Sequence, residues 1–488
     1  NIPTITAKRT NLIYPSEVHE REEKYEAINL ITDEINIGKP KQKRTENHYD
    51  YIMGNPPFVG HQWRSKEQQS DMDAVFKDFG NNHGKLDYVC CWYKKALDII
   101  RYTNVRCAFV STNSICQGES VAALWKPLFD VGLKIDFAWR TFRWDSESTQ
   151  KAHVHCVIVG FSCRDTRGSR AENNAVERTA TRQIFNADGT VIEAENINGY
   201  LLDAPNIFIQ NRNRNLNPAL PKMSKGSQPT DDRNLILSTD EKDELTRKYP
   251  ESAKFIRRFM GADEFINNKK RYCLWLKDVA PNEYRKIPPV IVRLERVAEF
   301  RRKSPTASVQ RDSEIPMLFT QIRQPETDYL AIPRVSSENR KYIPIGFISS
   351  EVIASDATQF IPDADLFLFG VLTSSVHNAW MRAVAGRLKS DYRYSPAVYN
   401  NFPWCDPTDV QKAKIEKTAQ AILDARAKYP DSSLADLYDE TTMPPDLRKA
   451  HKENDKAVLA AYSFDPKMSE AEIVAELFRM YEKLTEMK

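Results

Sequence analysis

Two kinds of hydrophobic spacing alternate along the first third of the chain. Short apolar runs typical of strands occupy residues 50–53, 105–112, 134–140 and 153–161. Amphipathic stretches with helical spacing lie near residues 67–79, 86–100 and 120–129. Strands that alternate with helical crossovers form parallel sheets, and the short interval before the last strand allows an antiparallel edge strand. The pattern predicts an α/β fold with half of an open sheet, whose active site lies at the carboxyl ends of the strands.

The middle of the chain is built differently. Residues 164–200 are polar and charged without periodicity, which is typical of a linker or an excursion around the first domain. From residue 200 onward, short β-like runs are mixed with helical stretches. The β-like runs are 317–322, 329–335 and 342–348, and the main helical stretches are 290–303 and 365–387. This mixture predicts a second, α+β domain.

Beyond Pro407 the spacing of apolar residues is strongly helical. Ser469 and Glu472 have the spacing of a capping box, which predicts the start of the last helix. We therefore expect three segments, with boundaries at 1–199, 200–405 and 406–488.

The composition is that of a soluble protein of several domains. The chain has 488 residues, of which 41% are hydrophobic and 28% are charged. No apolar run approaches the roughly 18 residues that cross a bilayer, which favours a cytoplasmic protein without a membrane partner. The eight cysteines show no CxxC spacing, and His153 and His155 lack a third ligand nearby in sequence. These patterns favour buried thiols and no metal site.

Positive charge is concentrated in the middle segment. Residues 200–405 contain 31 lysines and arginines against 24 acidic residues, whereas the counts are 26 and 26 before them and 13 and 17 after them. A basic surface attracts polyanions because phosphate contacts release counterions. A solvated surface explains the same excess, so the charge alone does not identify nucleic acid as the partner.

The stretch YDYIMGNPPFVGHQW, residues 49–63, places Asn55, Pro56, Pro57 and Phe58 directly after a strand. Each proline fixes its own φ and restricts the residue before it, so the loop is rigid. Convergent carbonyl oxygens can accept the two protons of an exocyclic amine and stabilise the charge that develops during methyl transfer. The aromatic ring offers a face to a planar base that has been flipped out of a duplex. A proline-rich turn without function is the alternative interpretation.

Several blocks together resemble amino-group DNA methyltransferases. DYIMGNPPFVG, DYVCCWYKKALDII, AFVSTNSICQGESV and KAHVHCVIVGF are similar to motifs IV, V, VI and VIII of those enzymes. The runs IPRVSSENRKYIPIGF, FGVLTSSVHNAWMRAVAGRLKSDYRYS and YNNFPW resemble the MmeI-type family of fused restriction-modification enzymes. The resemblance extends from about residue 49 to the C-terminus. It implies N6-adenine methylation with S-adenosylmethionine on a partial Rossmann-like sheet, a target-recognition domain at 200–405, and helices that support it on double-stranded DNA in a bacterial cytoplasm.

The resemblance also implies roles for single residues near the sheet. Asn55 and the Pro56 carbonyl would bind the adenine amino group, and Phe58 would stack on the flipped base. Motif VIII usually supplies a second aromatic residue, for which Trp144 and Phe142 are the candidates. Each of these two aromatic residues has a structural alternative, burial in the core.

In the middle segment, GRLKSDYRYS (386–395) follows an apolar helix and concentrates charged and tyrosine side chains. A cation and a carboxylate two residues apart can read one base pair, with Lys389 donating to guanine and Asp391 accepting from cytosine. By resemblance, this pair predicts guanine immediately 3′ of the methylated adenine. The alternative is a solvated helix C-terminus. Further base-reading candidates are Arg387 and Arg393.

Phosphate contacts are expected from other basic and aromatic side chains of the middle segment. The basic stretches are 210–215 and 293–303, although a solvated helix face explains the second equally well. The named candidates for the DNA backbone are Arg212, Arg214, Tyr392 and Tyr394.

The sequence departs from the family in one respect. No glycine-rich DPxxGxG or FxGxG loop follows a strand, and no nuclease PD-(D/E)xK pattern lies ahead of residue 49. We therefore expect the C-terminal part of a larger enzyme, with an upstream methyltransferase half and nuclease domain, and weak or absent binding of S-adenosylmethionine by this chain alone. Two alternatives are an RNA or protein amino-group methyltransferase and a non-catalytic DNA-binding or specificity module.

Overall fold

The computed structural model describes residues 49–144, 154–163, 181–210, 212–388 and 391–486. The chain divides into two compact units, residues 1–209 and residues 210–488. Of the sequence candidates, Lys389 and His153 lie outside the described residues.

The first unit contains a six-stranded mixed sheet. Its strands are β1 (Tyr51–Gly54), β2 (Arg106–Thr112), β3 (Leu133–Trp144), β4 (Val154–Cys163), β5 (Arg182–Phe185) and β6 (Val191–Ala194). Its helices are α1 (Lys66–Val75), α2 (Cys90–Ile100) and α3 (Glu119–Asp130). The strand order is β1-β2-β4-β3-β5-β6, with β1 parallel to β2 and β4 antiparallel to both of its neighbours.

The antiparallel strand β4 lies inside the sheet, so the expectation of an antiparallel strand at the edge is wrong. Val157, Val159 and Phe161 on one face of β4 and Cys156 on the other are all at most 1% exposed. Burial on both faces is typical of a strand in the interior of a covered sheet, and β4 pairs with β2 on one side and with β3 on the other.

Strands β5 and β6 occupy part of the stretch that we expected to be a linker. β5 pairs in parallel with β3, and β6 pairs antiparallel with β5. Three of the four β6 residues are exposed, so the strand lacks the apolar alternation that signals a half-buried strand. Residues 164–180 of the same stretch lie outside the described residues.

Aromatic side chains form much of the first unit's core. The Tyr93 ring lies 5.4 Å from Phe109, 5.3 Å from Trp125 and 5.2 Å from Phe161, measured between ring centroids. Because the ring of Phe137 packs directly over Gly160, a Cβ atom at position 160 would lie 2.0 Å from it. The sheet and α2 are thus tightly interlocked, which gives the strand ends a rigid base.

The described residues of the second unit form three small sheets. Their strand orders are β14-β9-β10-β8, β13-β11-β15-β7 and β12-β17-β16. The strands are β7 (Ser224–Lys225), β8 (Ile236–Leu237), β9 (Ile256–Met260), β10 (Tyr272–Leu274), β11 (Tyr329–Pro333), β12 (Val335–Ser336), β13 (Gly346–Ile348), β14 (Ile353–Ala354), β15 (Thr358–Pro362), β16 (Gly386–Leu388) and β17 (Asp391–Arg393).

The helices of the second unit surround these sheets and then continue to the C-terminus. They are α4 (Thr239–Lys248), α5 (Ala262–Ile266), α6 (Pro281–Tyr284), α7 (Pro288–Arg302), α8 (Ala307–Arg311), α9 (Leu366–Leu372), α10 (Ser375–Val384), α11 (Pro396–Asn400), α12 (Asp409–Ala427), α13 (Leu434–Leu437), α14 (Pro445–Ala461) and α15 (Glu470–Glu486). None of the helices in the described ranges is long and apolar enough to span a bilayer.

The sequence predicted the helices of the second unit better than its strands. Within the described residues, the run 317–322 forms only an isolated bridge, between Gln321 and Gln228. The apolar stretch 365–387 is divided by Ser374, whose hydroxyl accepts from the His377 amide and so starts a new helix. The capping box is confirmed, since the Ser469 amide donates to the Glu472 carboxylate at 2.7 Å.

Candidate functional site

The Asn-Pro-Pro-Phe loop leaves the carboxyl end of β1. Asn55 and Pro57 are exposed, Pro56 is buried, and Phe58 is half-buried. The next residue, Val59, accepts a backbone hydrogen bond from Tyr88 at 2.9 Å, which fixes the far side of the loop. A rigid loop with one buried proline therefore presents the Asn55 side chain to solvent at the strand end.

The carboxylate of Asp87 connects this loop to the neighbouring strand. The His61 backbone amide donates to Asp87 Oδ1 at 3.0 Å. The hydroxyls of Thr112, at the end of β2, and of Ser114 donate to the other oxygen, Oδ2, the former at 3.5 Å. The parallel strands β1 and β2 end at the same edge of the sheet, so one carboxylate holds the loops that follow both strands.

Sequence reasoning missed Asp87 as a site residue. It lies 26 residues after His61 and 25 before Thr112, and no local spacing relates the three. The one available signal was its place at the start of the DYVCCWY block, ahead of α2.

Phe142 and Trp144 lie near the carboxyl end of β3. β1 is parallel to β2, and β4 is antiparallel to both β2 and β3, so β3 runs in the same direction as β1. The two rings therefore lie at the same edge of the sheet as Asn55. Their ring centroids are 6.1 Å apart, and Trp144 is 43% exposed. An exposed indole ring at this edge is able to stack on a base. Trp144 is therefore not a buried core residue, which was the alternative interpretation.

Within the segment 386–395, residues 386–388 and 391–393 form the antiparallel strands β16 and β17 rather than the end of a helix. Arg387 lies opposite Tyr392, and Gly386 lies opposite Arg393. Side chains alternate along a strand, so the buried Tyr392 lies on one face while Asp391 and Arg393 lie on the other. Asp391 is partly exposed and Arg393 is exposed.

Arg387 lies on the buried face of this strand pair. Its guanidinium donates to Glu338 at 2.9 Å and to the Tyr392 hydroxyl at 2.9 Å, and it stacks 4.1 Å above the Tyr392 ring. Burial raises the pKa of Tyr392, which keeps its hydroxyl neutral. These contacts give Arg387 and Tyr392 a role in shaping the strand pair.

Tyr394 is a core residue at 2% exposure. Its hydroxyl is hydrogen-bonded to His377 Nε2 at 2.7 Å. Burial lowers the pKa of His377 to about 3, so the imidazole is neutral at physiological pH. A side chain at this depth packs the unit and does not reach a DNA phosphate.

Arg212 and Arg214 line a shallow surface depression of about 480 Å³, together with Asn213, Asn215 and Pro218. Arg214 is exposed, whereas Arg212 is partly buried against Tyr481, with its guanidinium carbon 5.9 Å from the ring centroid. The two arginines therefore share one basic surface, with Arg214 the more accessible.

Helix α7 distributes its basic side chains between surface and core. Arg293 donates to Glu241, and Lys303 donates to Glu299 at 2.6 Å. Arg301 is completely buried and donates five hydrogen bonds to backbone carbonyls, a role that sequence spacing did not reveal. Within the described ranges, no group of three or more potential metal ligands occurs.

Comparison with protein families gives three matches along the chain. Residues 22–173 match the MmeI DNA-methyltransferase domain, residues 203–406 the MmeI target recognition domain, and residues 407–487 the MmeI C-terminal domain. The first match begins at residue 22, whereas the motifs that resemble DNA methyltransferases begin at about residue 49.

Two relatives span most of this chain. DNA methyltransferase A of Bacillus subtilis (strain 168) is 36% identical over 438 residues, which cover 89% of this chain and 48% of that protein. The solved structure of the Type IIL restriction-modification enzyme MmeI in complex with DNA aligns with a TM-score of 0.81 at 45% identity, covering 89% of this chain and 57% of that chain. The chain thus spans about half the length of these relatives.

Proposed function

Since this chain belongs to the MmeI family of restriction-modification enzymes, we propose that it methylates the N6 amino group of adenine in duplex DNA. The first unit supplies the site for the amino group, and the second unit reads the sequence around it. The domain boundaries that we propose are 1–199, 200–405 and 406–488.

The observation that carries this proposal is the position of Asn55. Its side chain is exposed on a stiff loop at the carboxyl end of β1, where a planar substrate can approach it. The Asn55 side-chain oxygen and the Pro56 carbonyl accept the two N6 protons, which leaves the nitrogen lone pair free to attack a methyl group. Asp87 is a positioning residue, because it holds the loops that carry these acceptors.

An adenine that leaves the duplex loses its stacking on the neighbouring bases, and aromatic side chains can replace that stacking. Half-buried Phe58 follows the acceptors directly and stacks on the extruded base. Trp144, with Phe142 beside it, offers a second aromatic surface at the same edge of the sheet. Stacking compensates part of the free energy lost when the base leaves the duplex.

S-adenosylmethionine is the methyl donor that the proposal implies, and it supplies the electrophilic methyl group when bound. Asn55 and the Pro56 carbonyl fit the acceptor amine. They do not form a site for the donor, which usually rests against a glycine-rich turn after a strand, and the sequence contains no such turn. We therefore assign no residue of this chain to the donor.

For the second unit, we propose that the β16–β17 strand pair reads bases. Asp391 and Arg393 share its outer face, while Arg387 and Tyr392 brace it from the inner face. With Lys389 donating to guanine and Asp391 accepting from the paired cytosine, guanine follows the methylated adenine. Exchange of both residues should change this base and preserve methyl transfer; unchanged specificity would contradict the assignment.

The decisive experiment substitutes Asn55 in cells that carry the otherwise unaltered gene. N6-methyladenine in genomic DNA is mapped by sequencing, with Asn55→Ala compared with Asn282→Ala, an exposed asparagine in helix α6 of the second unit. Loss of one oriented hydrogen-bonding group should lower methylation by about 100-fold or more. The control variant should retain it.

Three results of this experiment would contradict the proposal: full methylation by Asn55→Ala, methylation of cytosine instead of adenine, and no methylation of genomic DNA that depends on this gene. A non-catalytic specificity module is the second candidate function. The match of residues 203–406 to a target recognition domain favours it, and it predicts sequence-specific DNA binding with no methylation that depends on this gene.

A further inference from the structure

A strained turn precedes β8 in the second unit. Thr230, Asp232 and Arg233 have φ values of 46°, 47° and 61°, which lie in the left-handed region. None of them is glycine, and a β-branched residue such as threonine adopts this region only under constraint. We use "the strained turn" for residues 230–233.

The surrounding structure holds the strained turn from several sides. Buried Arg301 donates to the carbonyls of Pro229 and Thr230 at 2.8 and 2.9 Å. The carboxylate of Asp231, which is 5% exposed, accepts from the Leu235 amide at 2.6 Å. The Asn234 side chain donates to two carbonyls of the turn, at 3.0 and 3.1 Å. Such an over-determined, strained backbone is typical of sites where a side chain must be presented in one orientation.

The side chain presented at the tip is Arg233, which is exposed. In the described part of the chain, no carboxylate forms an ion pair with its guanidinium. This contrasts with Arg271, Arg293 and Arg382 of the same unit, each of which is paired with a glutamate. The adjacent Asp232 is also exposed, whereas the carboxylate of Asp231 is buried, so the exposed tip of the turn carries one guanidinium beside one carboxylate.

We propose that the strained turn is a DNA-docking element and that Arg233 binds a backbone phosphate of the duplex. The inference rests on the proposed function, because it takes duplex DNA as the ligand of the second unit. An unpaired guanidinium on a fixed turn binds a phosphate with little loss of conformational entropy. The contact fixes the position of the protein on the duplex and carries no sequence information.

Two substitutions in the turn separate this role from a structural one. Arg233→Gly and Asp232→Gly both place a residue that tolerates positive φ at a left-handed position, so neither should lower the melting temperature. Only Arg233→Gly removes the phosphate contact. Its affinity for duplex DNA should fall roughly five- to tenfold, and the slope of log K against log salt should decrease by about 1. Asp232→Gly removes a negative charge and should bind DNA at least as tightly as the unaltered chain.

Binding is measured by fluorescence anisotropy with a labelled duplex that contains the methylation site, and with a scrambled duplex, across a salt series. Arg247→Ala, an exposed arginine in α4, controls for net charge. The proposal is supported when Arg233→Gly alone loses affinity, and loses it equally for both duplexes.

Three outcomes overturn the proposal: unchanged affinity in Arg233→Gly, an equal loss in Asp232→Gly or Arg247→Ala, and a loss confined to the specific duplex. The proposed function fails separately, and this inference with it, when the unaltered chain binds neither duplex.

Discussion

Substitution of Arg301 by methionine should destabilise the second unit severely. Arg301 is fully buried and donates to the carbonyls of five residues in two separate stretches of chain, 229–230 and 312–318. These carbonyls belong to Pro229, Thr230, Asp312, Ile315 and Leu318, at 2.7 to 3.2 Å. Methionine is unbranched and has no donor, so all five carbonyls lose this partner.

The size of the effect follows from these contacts. Five hydrogen bonds from a charged donor, at about 1.5 kcal/mol each, sum to roughly 7 kcal/mol. Burial removes the guanidinium from water, which opposes folding and also lowers the pKa of Arg301. The methionine side chain has no charge and does not carry this desolvation cost. We therefore expect a net loss of about 4 kcal/mol, a large fraction of the 5–15 kcal/mol that stabilises an ordinary domain.

Urea unfolding of the whole chain measures this loss. Because the chain contains eight tryptophans, unfolding of the second unit is followed by hydrogen–deuterium exchange in peptides from its core, where Trp275 packs against Phe319 with ring centroids 5.2 Å apart. Arg302→Met, at the exposed neighbouring position, should change the free energy of unfolding by no more than about 0.5 kcal/mol. The reasoning is wrong if Arg301→Met unfolds within about 1 kcal/mol of the unaltered chain.

Two further predictions concern pH and packing. The folded-state pKa of His377, about 3, lies below its unfolded value near 6.5, so its contribution to stability is complete above pH 6.5 and is lost as the pH falls. Urea unfolding at pH 7 and pH 5 should show about 2 kcal/mol more acid destabilisation in the unaltered chain than in His377→Gln, and equal losses would contradict this. Gly160→Ala should cost about 3 kcal/mol in the same assay because the new Cβ meets the Phe137 ring. Gly84→Ala, where no atom lies within 4 Å, should be neutral, and equal effects of the two variants would refute the packing argument.

The sequence predicted elements whose signal is local. β2 was expected at 105–112 and is found at Arg106–Thr112, and α12 was expected to begin after Pro407 and starts at Asp409. Both have apolar spacing over several residues, and α12 has a capping residue, Thr408, at its start. The Asn-Pro-Pro-Phe loop was equally readable, because prolines restrict the backbone wherever they occur.

Features that depend on distant residues could not be predicted. The ligands of Arg301 lie up to 72 residues away, and those of Asp87 up to 27. Strands β16 and β17 are too short to show an alternating pattern, and β17 is partly defined by pairing with β12, more than 50 residues earlier. Residues that are far apart in the sequence come together only in the folded chain, so local spacing cannot identify such partners.

The place of β4 in the first unit has a consequence for the newly made protein. β2 and β3 are synthesised before β4, yet β4 lies between them and pairs with both. Until residue 163 has left the ribosome, the edges of β2 and β3 that face β4 have no partner from that strand. Nascent chains that stop inside β4 should therefore associate through these open edges, and chaperone binding should be strongest over the same interval of translation.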